Sequence, residues 1–168
     1  MKVRDVMTRP ACMCTPDTTL DEASRRMEHS GCGTLAVVDS LRRITGILTD
    51  RDLAVAIGKT TVHPSQIFVR DAMTQPVYTC TAEDTLSAAV ERMADARVRR
   101  LPVVETKGQV QGMVSIDDIV LWAVPDGVKR KAVLKALRAI CAAHHPMFDT
   151  EMIAEYATVT RSEQDDVC

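Results

Sequence analysis

VRDVMTRPACMCTPDTTLDEASRRM fills residues 3–27, and VRDAMTQPVYTCTAEDTLSAAVERM fills residues 69–93. The second stretch restates the first at an offset of 66 residues. The same offset carries LAVV at 35–38 onto LPVV at 101–104, and GILTDRDL at 46–53 onto GMVSIDDI at 112–119. About 18 of 51 aligned positions are identical, which marks an internal repeat. A copy of roughly 55 residues buries too little surface to be comfortably stable alone, so the two copies are expected to share a core. Chemistry found in one copy then has a testable counterpart in the other.

Each copy reads as β-α-β-β-α. A short amphipathic start (Val3 to Met7, Val69 to Met73) runs into MT-x-P, where Pro10 and Pro76 forbid a continuing helix. Brief strands are predicted near 11–15 and 77–81. Capping groups at Asp17-Thr18-Thr19 and Glu83-Asp84-Thr85 precede helices with apolar Leu20, Ala23, Met27 and Leu86, Ala89, Val90, Met93. Hairpins follow, 35–38 with 43–48 and 101–104 with 109–114, and each copy closes on a helix, 50–57 and 116–123. The sequence thus predicts an α+β protein: a first repeat at 1–60, a second at 61–124, and a helical C-terminal extension at 125–168. In that extension a helix is predicted over 126–143, with Val133, Leu134, Leu137, Ile140 and Cys141 on its apolar side. A second helix is predicted at about 150–157, before a frayed end at 162–168.

Composition narrows the function. The 168-residue chain carries 21 basic and 23 acidic residues, net −2. That balance argues against nucleic acid or an anionic membrane as its main partner. Aromatic residues make up 3%, too few for base-stacking platforms. The longest apolar run, Ile119 to Val124, is far short of a membrane span, and MKVRDVMTRP lacks an apolar signal core. A cytoplasmic protein is expected. Six cysteines include no CxxC pair, and Cys12-x-Cys14 is a weak metal signal, so reduced cysteines and no metal site are expected.

The chemistry concentrates in a motif present twice: Gly46-Ile47-Leu48-Thr49-Asp50-Arg51-Asp52 and Gly112-Met113-Val114-Ser115-Ile116-Asp117-Asp118. Both copies lie where a strand turns into a helix, so free backbone N–H groups and the positive helix end face an open edge that suits anions. Thr49 or Ser115 can donate to a phosphate oxygen. Asp52 or Asp118, one turn later, can accept the hydroxyls of a ribose cis-diol. The same spacing is also a capping box, in which the hydroxyl and carboxylate merely hold the helix start.

The repeat, MT-x-P, L-x-VV and the duplicated Gly/Ser-Thr/Asp motif together resemble a tandem pair of cystathionine-β-synthase (CBS) domains over about residues 3–123. The resemblance implies two βαββα units packed about a pseudo-dyad. It further implies dimerisation, and adenosine derivatives (AMP, ADP, ATP or S-adenosylmethionine) held in two clefts between the repeats. Carried over residue by residue, one cleft comprises Asp118, Ser115, Met113, Arg99 and Arg100, with Cys12, Cys32 and Gly33 near the base. The mirror cleft comprises Asp52, Thr49 and Ile47, bordered by Tyr78, Val98 and the Arg99 backbone. There Thr34 stands where the second repeat has Arg100, Gly33 where it has Arg99, and Ala36 where it has Pro102.

The resulting expectation is a regulatory module that binds an adenosine-containing ligand, forms a homodimer and signals to a regulated partner protein. No cofactor is required, and magnesium is optional, arriving with a polyphosphate. The competing reading is a ligand-free dimerisation scaffold. No nucleophile–base pair or nameable acid–base pair of carboxylates supports an enzyme. The basic side of the 126–143 helix (Lys129 to Arg138) reads as a solvated face or dimer flank rather than a nucleic-acid reader.

Overall fold

The computed structural model describes residues 1–123 and 130–144. The first repeat contains β1 (Met13–Cys14), α1 (Leu20–Ser30), β2 (Thr34–Val38), β3 (Ile44–Thr49) and α2 (Asp50–Gly58). The second contains α3 (Leu86–Ala96), β4 (Arg100–Val104), β5 (Val110–Ser115) and α4 (Ile116–Ala123), followed by α5 (Arg130–His144). Thr19 and Thr85 cap α1 and α3 by accepting from Glu22 N and Ala88 N. Both helices bury the faces that the apolar spacing assigns them.

β2 pairs antiparallel with β3 and parallel with β1, while β4 pairs antiparallel with β5. Both hairpins shift register at equivalent places, between Val37 and Val38 and between Val103 and Val104. The first predicted strand shrinks to two residues, and the one predicted at 77–81 reduces to a single parallel bridge, Cys80 to Val103. Side chains explain both losses. Thr15 N donates to Thr18 Oγ1 and Thr81 N to Asp84 Oδ2, so each backbone leaves the ladder early.

The shared core takes a specific form. Val3 N donates to Asp84 O at 2.9 Å, and Val3, Val6 and Met7 are buried with Leu86, Met93 and Leu101 of the second repeat. Reciprocally, Val69 N donates to Thr18 O at 2.8 Å, and Val69 packs with Leu20, Leu35 and Leu48 of the first. The opening turn of each repeat therefore completes the other repeat's core. A third apolar layer lies between the two sheets, with Ala36, Val38 and Val110 buried and Ile47 and Met113 packed against them.

α5 lies on α3 and α4 of the second repeat and buries Val133, Ala136 and Ile140. Its apolar side differs from the predicted one. Leu134 is 58% exposed and Cys141 is exposed, because a step of one residue turns a helix by about 100° and carries both off the Val133–Ile140 stripe. The predicted start of this helix at 126–129, the helix at 150–157 and the end at 162–168 lie outside the described residues.

Candidate functional site

Alternation along the strands decides which side chains face the other repeat. Leu35 and Val37 enter the first repeat's core, so Thr34, Ala36 and Val38 face the layer between the sheets. Leu101 and Val103 enter the second core, so Arg100 and Pro102 face that layer from the other side. Across the hairpins Thr34 pairs with Thr49 and Ala36 with Ile47; Arg100 pairs with Ser115 and Pro102 with Met113. Each half-site thus gathers a strand-start residue, an apolar residue and a helix-capping hydroxyl at one sheet edge.

Both helix starts are reciprocal caps. Thr49 N and Oγ1 donate to Asp52 Oδ2 at 2.8 and 2.7 Å, and Asp52 N donates back to Thr49 Oγ1 at 3.2 Å. Ser115 N and Oγ donate to Asp118 Oδ2 at 2.8 and 2.6 Å, and Asp118 N donates back to Ser115 Oγ at 3.0 Å. The hydroxyl protons and one carboxylate oxygen of each pair are therefore spent on the cap. Oδ1 of Asp52 and of Asp118 accepts no hydrogen bond from the described residues, so one oxygen per carboxylate keeps its acceptor capacity unused. A diol spread over both oxygens would have to displace the cap.

The electrostatics of the two half-sites diverge. Arg99 and Arg100 reach Asp117 on the α4 start at 3.5 and 3.9 Å, with side chains 56% and 38% exposed. Such long, wet ion pairs hold a guanidinium weakly and leave it free to serve an anion. In the first repeat Gly33 occupies the Arg99 position, and a Cβ there would come within 2.9 Å of Asp50 Oδ2. Asp50 itself stands where the second repeat has Ile116, and Arg51 stands where it has Asp117. Thr34 is 6% exposed, and its Oγ1 is buried with no hydrogen-bond partner.

Other predicted residues fall as follows. The Cys32 thiol lies beside Cys12 and in the field of Arg100; burial, the largest influence, pushes its pKa up. Cys12, Cys32 and Arg100 are thus brought together across the repeat boundary. Ile47 and Met113 both bridge to the opposite repeat, Ile47 to Thr74 and Met113 to Thr8. Val98 packs on the second repeat's own core, and Tyr78 stands half exposed.

Two hollows are lined by neither Asp52 nor Asp118. One of about 530 Å³ lies between α1 and α2, against Cys32, Gly33 and Asp50. The other, about 420 Å³, lies at the hairpin tips, beside Arg9 and Arg42. Sequence reasoning missed the charged flankers Asp50 and Asp117. The signal was available as the mismatches Asp50/Ile116 and Arg51/Asp117 in the repeat alignment.

The CBS domain profile matches residues 3–59 and again 69–124. The chain belongs to the CBS domain family. An uncharacterised protein of Methanopyrus kandleri is 32% identical over 119 residues, spanning 71% of this chain and 61% of that protein. The CBS pair therefore spans about three fifths of that relative's length. The solved CBS-domain protein ATU1752 of Agrobacterium tumefaciens is 31% identical, with a TM-score of 0.64 over 72% of this chain and 98% of that one. CBSX2, solved in complex with AMP, is 25% identical, with a TM-score of 0.63 over 74% and 96% of the two chains. Among the described residues, no helix of this CBS pair is long and apolar enough to cross a membrane, and no group of three or more His, Cys, Asp or Glu residues could hold a metal ion.

Proposed function

We propose that this CBS pair is a regulatory module that binds an adenosine-containing ligand between its repeats and passes the signal to a partner protein. AMP, ADP, ATP and S-adenosylmethionine are the candidate ligands, with magnesium arriving only on a polyphosphate. The observation that carries this reading is the paired unbonded oxygen: Oδ1 of Asp52 and Oδ1 of Asp118, each in the first turn of a helix that follows a strand whose Ile47 or Met113 packs in the inter-repeat layer. AMP bound to CBSX2 supports it by likeness. On this reading the protein is a homodimer of the cytoplasm and catalyses no reaction. Asp118 and Ser115 serve ribose and phosphate with Arg99 and Arg100, while Met113, Cys12, Cys32 and Gly33 line the base. Asp52, Thr49, Thr34, Ile47, Tyr78 and Val98 form the mirror cleft.

The caps favour one other reading, an empty dimerisation scaffold, because the hydroxyls and Oδ2 atoms are already satisfied internally. A thermal-shift series separates the two. Ligand at a hundredfold its dissociation constant adds about 2.7 kcal/mol of stability. For a chain of this size that raises the melting temperature by several degrees. A shift with AMP, ADP or ATP that shrinks with the 2′-deoxy analogue supports the sensor. A flat response to every adenosine compound leaves the scaffold.

A further inference from the structure

We propose that the two clefts divide ligand classes: the Asp118 cleft takes a phosphorylated nucleoside, and the Asp52 cleft takes an uncharged one gripped by the Thr34 hydroxyl. This rests on the ligand-binding reading above and adds to it a specificity set by this chain's own residues.

Two independent observations meet at the Asp52 cleft. The first is the start of α2, a nine-residue helix whose cap leaves Asp52 Oδ1 open. The second is Thr34. It is 6% exposed, its Oγ1 is buried without a partner, and it lies directly across the hairpin from Thr49 on the face turned toward the other repeat. Buried hydroxyls in folded proteins are almost always satisfied, so an orphan beside an open helix start marks a place for a ligand's polar atom. A threonine hydroxyl both donates and accepts, which suits a sugar hydroxyl or a neutral 5′ substituent. Thr34 is closed off from solvent here, so a ligand gains its hydroxyl by a local opening of that edge.

The charge balance disfavours phosphate in this cleft relative to the other. At the place of Thr34 the second repeat carries Arg100, and at the place of Gly33 it carries Arg99. Both guanidinium groups are tethered to Asp117 by long, solvent-exposed ion pairs that a phosphate can replace. On the α2 start Arg51 is flanked by Asp50 and Asp52, and the Asp50 carboxylate fills the space beside Gly33. A dianionic phosphate there meets two carboxylates and one exposed cation, whereas at the α4 start Arg99 and Arg100 supply two cations against Asp117 and Asp118.

Titration calorimetry with AMP and with adenosine tests the division, on wild type, Thr34→Val and Arg100→Thr. The expected result is that wild type binds one tight AMP and one adenosine without competition between them. Thr34→Val weakens adenosine at least tenfold and leaves AMP unchanged, and Arg100→Thr does the reverse. With the orphan hydroxyl removed, Thr34→Val melts at the wild-type temperature or above when no ligand is added. Competition between AMP and adenosine for a shared site overturns the division while the ligand-binding reading stands, and so does adenosine binding untouched by Thr34→Val. A lower ligand-free melting temperature for Thr34→Val shows that the hydroxyl has a structural partner and also overturns it. Absence of binding by either compound removes the ligand-binding reading itself.

Discussion

Thr8 and Met113 exchange both backbone hydrogen bonds, at 2.8 and 3.1 Å, across the boundary between the repeats. Thr74 and Ile47 repeat the exchange at the symmetry-equivalent place, at 2.8 and 3.2 Å. The backbones approach so closely that a Cβ on Gly112 would lie 2.6 Å from Thr8 O, whereas a Cβ on Gly46 would meet the Met73 side chain, with Sδ nearest and Cγ and Cβ behind it. A carbonyl cannot step aside as a thioether can. Gly112→Ala is expected to destabilise the protein by about 1–3 kcal/mol, the range of overpacking in a close-fitting contact. Gly46→Ala should cost less. Urea midpoints of the two variants give the comparison, and an equal loss would mean that the Thr8 backbone yields as easily as Met73.

The reciprocal caps make Asp52 and Asp118 structural residues whatever else they do. Asp52→Ala and Asp118→Ala should each lower ligand-free stability by about 1 kcal/mol, the usual worth of such a cap. Any loss of ligand response must therefore be read against each variant's own baseline. On that basis Asp118→Ala is expected to lose more of the AMP-induced shift than Asp52→Ala, because Arg100 pairs with Ser115 across the hairpin and both Arg99 and Arg100 reach Asp117 at the α4 start. Equal losses would place phosphate recognition elsewhere.

The repeat made most of this structure legible before any coordinates. Helix spacing located α2 and α4 to within about a residue and picked out the starts and buried faces of α1 and α3, and the strand-to-helix motif placed Thr49, Asp52, Ser115 and Asp118 at the sheet edges. Three features escaped. The exchange of opening turns did not show, because Val3 and Val69 look alike in sequence and either could serve either core. The two outer strands were overread, because Thr15 and Thr81 give their backbone N–H groups to nearby side chains. The direction of the Asp52 and Asp118 carboxylates was ambiguous, because a capping box and a ribose clamp use the same residue types at the same spacing.

α5 offers a clean contrast between buried and exposed apolar residues. Ile140 is buried and Leu134 stands out in solvent. Ile140→Ala should cost about 2–5 kcal/mol, as truncation of a buried aliphatic side chain does. Leu134→Ala should stay within about 0.5 kcal/mol. Chemical denaturation reads both, and a large loss at Leu134 would reveal that a second molecule covers it.

Thiol reactivity should follow burial. Desolvation pushes the Cys14 thiol up to about 11 and the Cys80 thiol up to about 12, so at pH 8 both are held as inert thiols in their cores. Cys141 is exposed. Timed alkylation followed by peptide mass spectrometry should find Cys141 modified first, and Cys14 and Cys80 only in denaturant. Early labelling of Cys80 would mean that the 77–81 segment opens readily from β4.

The seam where the first repeat's opening turn meets the second repeat is expected to weaken in acid. Asp84 accepts from Thr81 N at 2.9 Å and pairs with Arg92 at 3.3 Å, and its backbone oxygen receives Val3 N. The bond from Thr81 N is the main influence holding its carboxyl below the ordinary carboxylate value. A folded-state value below the unfolded one means that the carboxylate's contribution is complete above the unfolded value, about 3.9. It disappears as pH falls through the folded value. Asp84→Asn should therefore be less stable than wild type by a constant margin from neutral pH down to about pH 4. Below that the margin should narrow as the wild-type carboxylate protonates. Urea unfolding across this range measures it, and a margin that stays constant to the lowest pH would show that the charge on Asp84 plays no part in closing the seam.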